Sequence, residues 1–195
     1  LKPPVLNGDG GLSQKSAEPG NASYYYSITR LGTQGSVQMD GRDFDVRGLS
    51  WLDREWSTSA LAPEQVGWDW FALQLSDGSD LMFYQLRTRD GRQDPMTAGT
   101  LTAPDGVATH LHVDEVTIRV EDDWESPAGG TYPSVWTLEL PDRAMTLRIS
   151  PVIADQELFT TVRYWEGAVD VSGERDGQPV SGRGYVELTG YAENE

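Results

Sequence analysis

Hydrophobic and polar residues alternate with a period of two along most of this chain, and turn-forming residues interrupt the alternation roughly every 8–12 positions. In Tyr185-Val186-Glu187-Leu188-Thr189 the exchange is regular: Val186 and Leu188 fall on one face, and Tyr185, Glu187, Thr189 and Tyr191 on the other. The pattern predicts strands over 23–31, 36–40, 44–58, 67–75, 80–89, 99–103, 109–120, 134–140, 144–150, 158–172 and 181–191. Ser76-Asp77-Gly78 and Arg89-Asp90-Gly91 fit tight hairpins in which glycine supplies the positive φ. Glu174-Arg175-Asp176-Gly177 closes another, predicting a 164–191 hairpin whose second strand is central to the domain. Gly182-Arg183-Gly184 reads as a bulge within it. No amphipathic helix is apparent, and residues 60–65 suffice for one turn at most. Residues 1–22 are rich in Gly, Pro, Ser and Asn and carry no period, so they read as a linker or the tail of a preceding module, leaving 23–195 as the domain. Antiparallel strands with short connections imply an all-β fold, either a closed barrel or a sandwich.

The aromatic residues favour the barrel. The chain has 7 Trp and 8 Tyr, and many share strand faces with acids. In 44–58, Trp51, Asp53 and Glu55 fall on one face and Arg54 and Trp56 on the other. A packed sandwich core has no use for those carboxylates, whereas a ligand-holding barrel lumen accepts mixed aromatic and polar walls. The charge narrows the partners: 31 acidic against 15 basic residues give a net −16, which repels phosphate backbones and argues against nucleic acid. No apolar run approaches the roughly 20 residues of a membrane span. With no cysteine, disulfides and thiolate chemistry are excluded.

The motif inventory removes further classes. There is no Gly-x-Ser-x-Gly elbow, no His-Glu-x-x-His, no phosphate-cradling loop and no dinucleotide fingerprint, so no cofactor is expected. His110, His112 and Asp114 share a parity that suits metal ligation, but Val116, Ile118 and Val120 continue it, and the stretch reads as a solvated strand start with no metal. The constellation that carries chemistry is Trp51, Asp53, Glu55, Trp68, Asp69, Trp70, Tyr164, Trp165, Glu166, Tyr185 and Glu187. A carboxylic acid kept neutral in an apolar pocket can protonate a C=C bond, and aromatic faces can stabilise the resulting cation. Asp53, beside Trp51, is the first candidate acid and Glu55 the second. The competing reading makes Asp53, Arg54 and Glu55 a salt-bridge network, with Arg30 or Arg163 as partners, and the tryptophans packed core.

Five stretches carry a resemblance: 21–31 (NASYYYSITRL), 51–59 (WLDREWSTS), 67–75 (GWDWFALQL), 124–136 (WESPAGGTYPSVW) and the ends of 164–191 (YWEGAVDVSG and GRGYVELTGY). Together they are similar to the AttH and carotenoid 1,2-hydratase (hydroxyneurosporene synthase-like) family over nearly the whole chain. The resemblance implies an antiparallel lipocalin-like (calycin-type) β-barrel, one of two in tandem, with the N-terminal barrel missing from this chain. It also implies a secreted or periplasmic setting and an apolar ligand such as a lipid, terpenoid or carotenoid-like molecule. The carotenoid hydratases carry a histidine after the aspartate where this chain has Arg54, which aligns it with the AttH branch. The leading expectation is a binding barrel with Trp51, Trp68, Trp70, Tyr164, Tyr185 and Glu187 lining the cavity. The alternative is a hydratase or isomerase using Asp53 or Glu55 as general acid. A third, from the similar tandem barrels of fungal cyclisation enzymes, is a cavity that folds a polyene by shape alone.

Overall fold

Strand-forming alternation fills the chain almost end to end, and the computed structural model, which describes residues 1–57 and 61–192, contains fourteen strands. The first four are β1 (Val5–Leu6), β2 (Leu12–Gln14), β3 (Ala22–Met39) and β4 (Arg42–Ser57). Then come β5 (Gln65–Leu75), β6 (Asp80–Thr88), β7 (Ala98–Thr102), β8 (Ala108–His112) and β9 (Thr117–Glu125). The rest are β10 (Thr131–Leu140), β11 (Met145–Pro151), β12 (Glu157–Phe159), β13 (Arg163–Arg175) and β14 (Gln178–Thr189). The end of the expected strand 44–58 and the start of the expected turn at 60–65 lie outside the described residues; Gln65 N–H closes a turn onto the Ala62 carbonyl at 2.9 Å.

Two antiparallel sheets result. The large one runs β8-β7-β6-β5-β14-β13-β11-β10-β9, with β12 on β13; the small one is β1-β3-β2, with β4 on β3. The 13–14 hairpin forms as expected, turning at Asp176 and Gly177 with φ of 51° and 70°, and β14 lies in the middle of the large sheet. The large sheet curls on itself. Phe71 on β5 meets Trp136 on β10 edge to face at 5.7 Å, although β14, β13 and β11 separate those strands within the sheet. Trp136 packs in turn on Trp165 of β13 at 6.0 Å.

The curl encloses one apolar core, made from Phe71, Leu73, Leu81 and Phe83 on one side and Leu138, Leu147, Ile149 and Val186 on the other, all fully buried. The interior is therefore filled with side chains and is not the ligand lumen expected from the sequence. The physical reason lies in parity: every inward position of β5, β6, β10 and β11 along this stretch is apolar, and the pocket-forming indoles occupy the opposite face. Polar groups plug one end. Buried Asp69 receives Arg87 Nε at 3.0 Å and the Tyr191 hydroxyl at 3.0 Å, and Glu157 holds Arg163 and the Tyr132 hydroxyl. The rings of Tyr132 and Tyr191 meet at 5.9 Å, tilted by 47°, and join the two groups.

The glycine pair of β14 belongs to this core. Its register runs unbroken through Gly182↔Leu75 and Gly184↔Leu73, so there is no bulge there. Glycine is needed because a Cβ on residue 184 would lie 2.3 Å from the Ala72 carbonyl oxygen and 2.6 Å from Leu73 Cδ2. Gly184→Ala should part β14 from β5 and cost about 1–3 kcal/mol, read as a lower urea midpoint; an unchanged midpoint contradicts this packing.

The small sheet lies over the outer face of β5 and β6. The segment 1–22, expected as a linker, supplies β1 and β2, which pair with β3, and its Val5, Asn7, Ser13 and Ser16 are buried. Polar contacts hold it, such as Asn7 Nδ2 donating to Ser27 Oγ at 2.9 Å, which is why an apolar pattern does not reveal it. β3 carries one extra residue between the pairs Ile28↔Leu52 and Leu31↔Ser50, a bulge. Beyond it β3 and β4 continue as an exposed two-stranded arm, joining the segments expected as separate strands at 23–31 and 36–40.

Candidate functional site

Alternation that sends Phe71 and Phe83 inward sends Trp68, Trp70, Tyr84 and Leu86 outward on β5 and β6, with Trp70 opposite Tyr84 and Trp68 opposite Leu86. On the other flank of β5, Glu187 of β14 pairs with Trp70 in register. The β3–β4 pair crosses above and turns Tyr25, Asp53 and Glu55 down onto this surface, Tyr25 lying opposite Glu55 and Ser27 opposite Asp53. Between the layers is a pocket of about 340 Å³. Its walls are Tyr25, Trp68, Trp70 and Tyr84; Leu61 and Leu86 add apolar surface, and Lys15, Asp53, Glu55, Ser57 and Glu187 add polar groups.

The three carboxyl groups are held differently. Asp53 Oδ1 accepts from Ser27 Oγ at 2.5 Å and from Trp51 Nε1 at 2.7 Å, and Oδ2 accepts from the Tyr25 hydroxyl at 2.5 Å. Burial pushes the Asp53 carboxyl above the usual carboxylate range; the three donors oppose this and the charge of Glu55 adds to it. Burial and the adjoining Asp53 charge push the Tyr25 hydroxyl well up, and Trp70 Nε1 donates to it at 3.1 Å. Glu55 forms an ion pair with Lys15 at 2.8 Å and accepts from Ser23 Oγ. The Lys15 ammonium also sits 4.1 Å from the Tyr84 ring centre, a cation–π contact. Glu187 Oε1 accepts from Trp68 Nε1 at 2.6 Å. Its carboxyl is raised by burial first, against the Trp68 hydrogen bond, with the charges of Glu166, Asp53 and Glu55 adding to the rise.

Of the residues singled out from sequence, Asp53, Glu55, Trp68, Trp70 and Glu187 meet in this pocket. Trp51 stands behind Asp53 as its donor, and Tyr164 packs edge-on against Trp68 at 6.4 Å. Tyr185, expected to line the cavity, is 42% exposed and is not among the residues that form the pocket walls. Asp69 and Trp165 face the closed core, because they have the opposite parity to Trp68 and Tyr164. Arg54 does lie on the far face, opposite Tyr26, and the arginines considered as partners for Asp53 go elsewhere: Arg30 to Asp80 and Arg163 to Glu157. The rings of His110 and His112 meet at 4.7 Å, and among the described residues no cluster of three metal-ligating side chains forms. No helix among the described residues is long and apolar enough to cross a membrane.

Sequence reasoning missed Lys15, Tyr25 and Tyr84. Tyr84 could have been found by pairing 67–75 with 80–89 across the Ser76-Asp77-Gly78 turn, which sets it beside Trp70. Tyr25 is the inward member of the Tyr24-Tyr25-Tyr26 run, and Lys15 lies in a segment with no readable pattern.

A family model described as AttH-like matches residues 1–191. The crystal structure of a protein described as AttH from Nitrosomonas europaea superposes with a TM-score of 0.89 at 37% identity, covering 99% of this chain and 59% of that one. Kievitone hydratase from Nectria haematococca superposes at 0.78 with 22% identity, over 96% of this chain and 58% of that one, a likeness of fold. The dehydratase asqC of Emericella nidulans is 22% identical over 196 residues, 95% of this chain and 54% of that protein. The chain thus spans little more than half the length of the proteins it matches.

Proposed function

The chain belongs to the AttH-like family, and from that premise we propose that the pocket between its two sheets binds a small, largely apolar molecule such as a lipid or terpenoid. The observation that carries this reading is the meeting of two indoles, two tyrosines and two leucines around five convergent polar side chains in one pocket of about 340 Å³, the make-up of a small-molecule site. N-phenylnaphthylamine, a neutral aromatic probe, tests it through quenching of tryptophan emission. Saturable binding is expected, and Trp70→Ala should weaken it about tenfold or more, the equivalent of roughly 1.4 kcal/mol. A titration without saturation, or one indifferent to Trp70, contradicts the proposal.

A second reading, that the pocket adds or removes water across a carbon–carbon bond, is favoured by the carboxyl groups that burial lifts above their usual range. It draws support from relatives named as a hydratase and a dehydratase, which describe the two directions of one reaction. Asp53, Glu55 and Glu187 are the acids available to it, and the indole faces would stabilise positive charge on carbon. A second barrel in the remainder of the longer protein, and a secreted or periplasmic setting, complete the proposal; both come from the family resemblance.

A further inference from the structure

We propose that Glu187 is the residue that passes the proton in this pocket, while Asp53 holds the pocket's shape; the assignment rests on the water-adding or water-removing reading above. The distinction comes from counting donors. Three donors hold Asp53, Ser27 and Trp51 on Oδ1 and Tyr25 on Oδ2, so Oδ1 has no lone pair left for a proton and Oδ2 has only one. Glu55 is committed to Lys15 and Ser23, and its side chain is 38% exposed. Glu187 has one partner: Trp68 Nε1 on Oε1. Among the described residues Oε2 has none, and the side chain lines the pocket beside Trp68 and Trp70. A neutral acid at this position keeps its indole hydrogen bond on one oxygen and presents O–H on the other.

The surroundings favour that neutral form. Glu166 of β13 stands directly opposite Glu187 in the ladder, and like charges so placed repel. Asp53 and Glu55 face it from β4, and Tyr164 and Tyr185 flank it; among the described residues the one cation lining the pocket, Lys15, is paired with Glu55. Burial and these charges raise its carboxyl, so an acid is available nearer to neutral pH than an exposed glutamate would be.

In the dehydrating direction the Glu187 proton goes to a substrate hydroxyl, and the C–O bond breaks with its electron pair leaving on water. The resulting carbocation lies against the Trp68 and Trp70 faces. The Glu187 carboxylate then takes a proton from the adjacent carbon, the C–H pair forms the double bond, and the acid is restored. Hydration is the same sequence reversed.

The test uses the 195-residue chain, linalool as a neutral tertiary allylic alcohol, and water enriched in the heavy oxygen isotope. Protonation and loss of the hydroxyl followed by recapture puts the label into linalool. The wild-type chain should catalyse incorporation, and Glu187→Gln should lower the rate by about 10²-fold or more, with binding of N-phenylnaphthylamine preserved. Glu187→Asp, which keeps the charge should the amide variant fail to fold, should also lose rate and shift the pH at which exchange is half lost. Asp53→Asn should keep the exchange and move that pH only slightly down, because it removes one of the charges that raise the Glu187 carboxyl. Exchange that survives Glu187→Gln but vanishes in Asp53→Asn overturns the assignment and leaves the acid–base reading standing. A wild-type chain that binds the probe yet exchanges no oxygen above buffer overturns the acid–base reading and the assignment with it.

Discussion

Asp80→Ala should lower the free energy of unfolding by about 3–5 kcal/mol, the usual penalty for removing one partner of a buried ion pair. Asp80 is fully buried beneath β3 and accepts from Lys2 Nζ and Arg30 Nε, each at 2.8 Å. The cations are themselves largely covered, with side-chain exposures of 5% and 16%. Without the carboxylate they keep only carbonyl partners: Gly78 for Lys2, and Leu75 and Ser79 for Arg30. Three carbonyl dipoles do not replace a full charge in a dry setting. The consequence reaches the pocket, because Arg30 sits in the β3 bulge, beyond which β3 and β4 run out as the exposed arm, and β3 carries Tyr25 over the indoles. Urea unfolding should therefore show the loss together with weaker N-phenylnaphthylamine binding. Asp80→Asn, which retains an acceptor, should fall between the two. Removing Lys2 as well, as Lys2→Met, should cost less than the sum of the separate changes, since the two share one interaction. A loss below about 1 kcal/mol for Asp80→Ala would show that the clamp is not what fixes β3.

Period-two alternation exposed most of the large sheet because its strands are buried on at least one face. It failed where that condition lapses. In Gly32-Thr33-Gln34-Gly35 neither face is covered, so nothing distinguishes paired strand from loop, yet the backbone hydrogen bonds with β4 through this stretch. The run at 109–120 looked continuous, but Val113–Glu115 forms a 3-10 turn between β8 and β9, stabilised by Glu115 accepting from the His112 N–H at 2.9 Å. The expected strand 158–172 likewise divides into β12 and β13. The inversion of inside and outside has a related cause. β5 is apolar on both faces, with Trp68 and Trp70 on one and Phe71 and Leu73 on the other, so it cannot say which face is the core; β11 can, because only Met145, Leu147 and Ile149 are buried there. Five of the site residues were legible because a carboxylate or indole on a strand face calls for a partner. Lys15 and Tyr25 were not, because they reach the site through the crossing of one sheet over another, which local patterning does not encode.

Asp69 should make the stability of the fold depend on pH in the direction opposite to that of an ordinary paired carboxylate. Burial raises its carboxyl from 3.8 to about 6, with Arg87 and Tyr191 pulling the other way and only partly offsetting the desolvation. Since the folded chain holds this proton more tightly than the unfolded chain, the associated stability is fully present below pH 3.8 and is lost as pH rises through about 6. The shift corresponds to about 3 kcal/mol, at about 1.4 kcal/mol per pKa unit. Asp69→Asn removes the titration while leaving an acceptor for Arg87 and Tyr191, so the gap between wild type and variant isolates this group from Asp53 and Glu187, whose carboxyls are also raised. Over that interval wild-type unfolding free energy should fall relative to the variant and then run parallel to it. Curves parallel throughout would mean that Asp69 stays ionised in the fold, with Arg87 repaying its burial in full. Probe binding separates this core effect from the pocket. Asp69 lies on the reverse face of β5 between Trp68 and Trp70, and its only charged hydrogen-bond partner among the described residues is Arg87. Asp69→Asn should therefore flatten the stability profile and leave the affinity for N-phenylnaphthylamine unchanged.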